Sequence, residues 1–152
     1  MIDKKFWRKH GQNIVNKYRK HIFDPAGGGA SAKTVHGKEY PATYSTNYGR
    51  AKRNKTLPRR NARFANSKAP VLTGDLMKDF QVFDLTKKGF QFGTPTRGGV
   101  VKNLQKLRRP ISTLKKPIPT KVEDYIFDLV GKELKGQINE ICKKKRIIKV
   151  KL

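Results

Sequence analysis

The sequence predicts an α+β domain, with a small antiparallel β-sheet packed against N- and C-terminal helices and a long basic loop or arm between them. Three observations predict it. Between residues 4 and 23, Trp7, Gly11, Ile14, Val15, Tyr18 and Ile22 recur at three- and four-residue spacing, which places them on one side of a helix. Phe80–Leu85 and Gly89–Gly93 read as two strands around Thr86-Lys87-Lys88. From Thr120 onward, Val122, Tyr125, Ile126, Leu129, Val130, Leu134, Ile138 and Ile141 form an apolar stripe on a final helix.

The N-terminal amphipathic helix occupies residues 1–24, with Lys and Arg on its polar side, and Asp24-Pro25 followed by Gly27-Gly28-Gly29 ends it. The glycines suit a flexible linker better than a phosphate cradle, because no Lys-Ser/Thr pair opening a helix follows them. Residues 25–68 are read as a glycine-hinged basic arm. Tyr40, Tyr44 and Tyr48 recur every fourth residue, a helix stripe or, with Pro41 beside the first, a loop. No acid occurs from Tyr40 to Gly74, and like charges at this density repel one another and seldom pack.

Residues 69–146 are expected to form the α+β core. Pro70 favours extended geometry at Ala69, Thr73 is placed as an N-cap, and Asp75 falls in the first turn. With Leu72, Leu76, Met77 and Phe80 on one side, the stretch is a short helix or a well-capped connector. In the first strand Phe80, Val82 and Asp84 share a face, and in the second Phe90 and Phe92 do. Two strands alone are marginal, so a helix or third strand must cover them. Val100–Leu107 suits a short helix ended by Arg108-Arg109-Pro110.

Thr120 and Glu123 have capping-box spacing directly after Pro119, and the helix they open is expected to be the principal packing surface, with Leu129 in its buried stripe. Lys143–Arg146 favour its C-terminal dipole end. Residues 147–152 are an added strand or a frayed end.

At 152 residues, one domain with appendages is expected. An apolar content of 36% implies that about two thirds of the chain packs. With 36 Lys and Arg against 11 Asp and Glu, the formal charge is +25, which favours nucleic acid, acidic protein or anionic lipid as a partner. No apolar run is long enough to span a membrane, and the N-terminus lacks an apolar signal core, so neither insertion nor secretion is expected. Cys142 is the only cysteine and reads as a half-buried apolar residue.

His10, His21 and His36 lack ligand spacing with acids or cysteines. Asp75, Asp79 and Asp84 suggest a metal-dependent nuclease only weakly, since a helix terminus, a helix surface and a strand position explain them. No catalytic, cofactor or metal site, and no small-molecule substrate, is therefore expected. Arg50, Lys52, Arg53, Lys55, Arg59, Arg60 and Arg63 are the candidates for contact with DNA phosphates or an acidic protein surface. A general nucleic-acid-binding protein, ribosome-associated or DNA-packing, is one function that such a charge would serve.

A second function comes from the order of segments. His36-Gly37-Lys38-Glu39-Tyr40-Pro41-Ala42-Thr43-Tyr44-Ser45, a basic stretch, Val71-Leu72-Thr73-Gly74-Asp75-Leu76, Gly89-Phe90-Gln91-Phe92-Gly93-Thr94, Arg109-Pro110 and a final helix after Pro117-Ile118-Pro119 follow one another. Over residues 20–142 this order resembles the tail-completion or virion-morphogenesis proteins of long-tailed bacteriophages, which join head to tail. The resemblance implies a structural virion protein of the neck, made in the host cytoplasm. It implies a homo-oligomeric, hexameric ring between head-side connector or portal-associated proteins and tail terminator or tube proteins, with non-specific contact to genomic DNA.

Overall fold

The computed structural model describes residues 2–26, 31–41, 50, 68–70, 74–86 and 89–149. Helix α1 (Lys4–Phe23) lies at its centre. Asp3 caps it, accepting from the Phe6 N–H at 2.9 Å. All six predicted stripe residues are buried, together with Phe6 and Phe23. Ile14, Val15, Tyr18, Ile22 and Phe23 have no exposed surface, and burying side chains of this size contributes about 1.5–3 kcal/mol each before entropy is counted. Asp24, left-handed at φ 44°, closes the helix, and its carboxylate accepts from the Ser31 backbone N–H at 3.1 Å and from the Ser31 hydroxyl.

The proposed arm of residues 25–68 is not wholly an arm. Residues 31–41 fold onto the end of α1, where Ala32, Val35 and Tyr40 are buried. The physical reason lies in the helix terminus, whose last carbonyls need donors. The Lys33 N–H donates to His21 O at 2.9 Å and the Tyr40 hydroxyl to Ile22 O at 3.1 Å. A tight turn through Gly37, at φ 77°, brings Lys33 and Glu39 into a single antiparallel bridge. Tyr40 thus serves as a core residue outside any helix, while Tyr44 and Tyr48 lie outside the described residues.

Arg109 ties this layer to the rest. It is only 3% exposed, and its guanidinium donates to Pro41 O and Lys68 O, each at 2.6 Å. Next to it the Val35 N–H donates to Pro110 O at 2.9 Å, and the Tyr18 hydroxyl donates to Ile111 O at 2.5 Å. Burial, with Tyr40 nearby, pushes the Tyr18 phenol well above its ordinary pKa. Three stretches far apart in sequence therefore meet around one cation and one tyrosine.

On the other side of α1 lies a two-stranded antiparallel sheet, β1 (Gln81–Leu85) and β2 (Phe90–Gly93). Val82 pairs with Phe92 and Leu85 with Phe90, with a bulge between Val82 and Asp84. The bulge shifts the side-chain phase by one residue, so Val82 and Leu85 both turn inward. Asp84, expected beside Phe80 and Val82, is exposed instead. Gly11 lets the hairpin approach: a Cβ there would sit 3.2 Å from a Val82 methyl group. Tyr18 stacks against Phe80 at 4.7 Å between ring centroids, and Trp7 against Phe90 at 5.3 Å.

A five-residue helix, α2 (Asp75–Asp79), precedes the hairpin and starts at Gly74, left-handed at φ 85°. Asp75 does fall in its first turn, and Leu76 is half-buried at the edge of the core. Gly74 takes the N-cap position in place of the expected Thr73, which itself lies outside the described residues. Arg19 of α1 donates to Lys78 O at 3.2 Å and to Phe80 O, fixing the entry to β1. Helix α3 (Gly98–Lys106) follows β2 and ends where Arg108 turns left-handed at φ 57°.

The final helix, α4 (Thr120–Lys149), packs against α1 through its first half. Glu123 does not reach back to cap it: its carboxylate pairs with the Lys116 ammonium at 2.5 Å, and the first-turn N–H groups of Val122 and Glu123 donate to Pro119 O. The capping box between Thr120 and Glu123 is thus replaced by a tie to the preceding loop. Residues 147–149 continue the helix, so the added strand is not formed there.

Because Arg109 is buried against two backbone carbonyls, Arg109→Met should cost about 3 kcal/mol by leaving them unpaired. Urea unfolding of the two proteins measures this; a loss below about 0.5 kcal/mol, the range of an ordinary surface change, would contradict the role assigned to it.

Candidate docking surface

Helix α4 was expected to bury one continuous stripe, and it does not. Val122 is buried, and Tyr125, Ile126, Leu129 and Val130 are half-buried around it. Phe127, Leu134, Ile138 and Ile141 are 73%, 42%, 59% and 55% exposed. The helical period explains the split. At about 100° per residue, the line through Val122, Ile126 and Leu129 continues through Glu133, Gly136 or Gln137, and Glu140, which are polar or lack a side chain. Phe127, Leu134, Ile138 and Ile141 fall within one narrow sector well away from that line. The helix has two apolar faces, one packed on α1 and one bare.

Helix α4 carries Glu123, Asp124, Asp128, Glu133 and Glu140, close to half of the 11 acids in the chain, beside eight Lys and Arg, and Glu133 and Glu140 lie on the line of the packed face rather than the bare one. Asp128 pairs with Lys132 at 2.7 Å on the helix surface. Helix α1, which has no acid, exposes Lys4, Lys5, Arg8, Lys9, Lys17 and Lys20. One chain thus offers a bare apolar face on α4 and a basic face on α1. Cys142, expected to be half-buried, is exposed near the end of α4.

The predicted basic contacts fare differently. Arg50 is exposed, and Lys52, Arg53, Lys55, Arg59, Arg60 and Arg63 lie outside the described residues. What the structure adds is their anchorage: Pro41 and Lys68, on either side of this basic stretch, are held by the Arg109 guanidinium. The sequence offers no sign of that, since Arg109 sits in a run of cations like those elsewhere.

Asp75 and Asp79 have separate partners. Asp75 pairs with Arg97 at 3.5 Å, Asp79 accepts from the Thr96 hydroxyl at 2.8 Å, and Asp84 stands exposed on β1. Among the described residues no three His, Cys, Asp or Glu side chains converge as metal ligands. His10 lies against the Phe6 ring, and the His21 ring N–H donates to Thr34 O at 3.2 Å. An apolar groove of about 710 Å³ runs between the hairpin end, α3 and the loop before α4, lined by Phe80, Phe92, Val101, Leu114 and Ile118. No helix among the described residues is long and apolar enough to cross a membrane.

If the outer face of α4 is free of the core, Leu134→Asp with Ile138→Asp should leave stability within about 0.5 kcal/mol, whereas Val122→Asp should lose several kcal/mol by burying a charge. Urea titration at low protein concentration separates the two, and equal losses would place that face in the core. No protein-family model, curated protein or solved structure matches this chain.

Proposed function

We propose that this protein is a structural component of a bacteriophage neck, which joins or completes the tail at the head-tail interface as one subunit of a hexameric ring. The observation that supports the reading most is the bare apolar face of α4, with Phe127, Leu134, Ile138 and Ile141 exposed, on a chain whose net charge is +25. An exposed apolar helix face fits a protein surface, such as a different face of a second copy, better than it fits DNA. Contact between two different surfaces of identical chains is heterologous, and heterologous contacts close into rings when the rotation between neighbours permits.

In this reading the body is α1 with its hairpin and the first half of α4. The distal half of α4 bridges to the next subunit. The basic stretch containing Arg50 to Arg63, tied at both ends by Arg109, reaches the genomic DNA or the acidic surface of a connector or tail protein. The role is assembly, and no reaction is assigned to it. The segment order described above, from Gly37 to the final helix, is the second support.

Deleting the gene from its phage and imaging the lysate by electron microscopy tests the reading. Filled heads beside finished, unattached tails are expected, with joining restored by the unaltered gene supplied in trans but not by one encoding Leu134→Asp/Ile138→Asp. Normal infectious particles from the deletion would overturn it.

A further inference from the structure

A second feature of the fold is a cavity of about 500 Å³ where the last turns of α1, the 31–41 segment and the first turn of α4 meet. Lys17, Lys20, His21, Lys33 and Lys121 line it, with Asp24 and Ser31 at one side. Four lysines on three separate stretches of chain line one space. Only the fold brings them together, since Lys17 and Lys121 are far apart in sequence.

The local anion does not balance them. Asp24 is 6% exposed, and its carboxylate accepts from both the backbone and the hydroxyl of Ser31. Lys17 is also positioned: its ammonium sits 4.3 Å from the centre of the Tyr125 ring, which holds it in the seam between α1 and α4. His21 registers the same crowding. Burial lowers its pKa, and Lys121 and Lys33 add to the lowering against the hydrogen bond to Thr34. The groove beside the hairpin, by contrast, is lined mainly by apolar side chains with Lys102 as its single cation, so convergent lysines do not follow from composition alone.

We propose that this cavity is a phosphate-binding site, and that its occupant is the phosphodiester backbone of a nucleic acid. Lysine ammonium groups act as point charges toward phosphate, and a space of this volume takes a phosphate with its attached sugar. Neutralising the cluster releases counterions from the strand, which makes binding steeply salt-dependent. The inference rests on the cavity alone. It goes beyond the neck reading, because phosphate binding is measured on the isolated protein and the joining phenotype is measured in the phage.

The experiment compares the unaltered protein, Lys33→Gln/Lys121→Gln and Lys5→Gln/Lys9→Gln for binding of a short DNA duplex over a range of salt. The second variant removes equal charge from exposed positions of α1 outside the cavity. The slope of log affinity against log salt should fall by about two for the cavity variant and stay near the parent value for the other. Inorganic phosphate should raise the titration midpoint of His21, followed by proton NMR in the unaltered protein, and polyglutamate should displace DNA poorly. Equal slopes for the two variants, an unmoved His21, or polyglutamate competing as well as DNA would overturn the proposal.

Discussion

The whole structure depends on the burial of one face of α1. Its residues from Phe6 to Phe23 are the surface on which the hairpin, the 31–41 segment and α4 all pack. A two-stranded sheet is not stable alone, and a single turn such as residues 33–39 is less so. Each gains its place by covering part of a helix that would otherwise expose aromatic and aliphatic surface to water. Tyr18 sits at the junction, its ring against Phe80 and its hydroxyl on Ile111 O, so the two sides of the domain share one buried side chain.

Around that helix the chain solves a problem set by its own charge. Lysines and arginines in such numbers repel, and a compact state must keep them apart or pair them with something. Among the described residues most stay in solvent, whereas Arg109 is buried and its guanidinium answers backbone carbonyls on two distant segments. A guanidinium presents several donors in a rigid fork and remains charged in any ordinary environment, which suits it to hold two strands of chain at once. Among the described residues, exposed cations line α1, the cavity at its C-terminal end and α4. Five of the 11 acids lie on α4, but eight Lys and Arg lie there too. An excess of one sign this large leaves the monomer electrostatically incomplete.

Much of the fold was legible in the sequence, and the misses share a physical cause. The α1 stripe and the order of elements were readable because helical and strand periodicity are local properties. The bulge that turns Asp84 outward was not, since it depends on how the hairpin meets Gly11. The 31–41 segment looked like linker because its value lies in donors for the end of α1, a contact that composition does not encode. Helix α4 differs for another reason: its apolar residues recur by threes and fours like one stripe, but the phase shifts between Leu129 and Leu134. Of the candidate contacts, Arg50 is exposed as expected, whereas the cavity lysines were overlooked because they come together only in three dimensions.

Hydrogen exchange of the dilute monomer, residue by residue, tests the central role of α1 most directly, because protection follows the free energy needed to open each element. The account predicts the slowest exchange at Ile14 to Tyr18 in α1, and exchange beyond Glu133 in α4 faster by orders of magnitude. Protection of the distal half of α4 equal to that of α1, at a concentration where no oligomer forms, would contradict it.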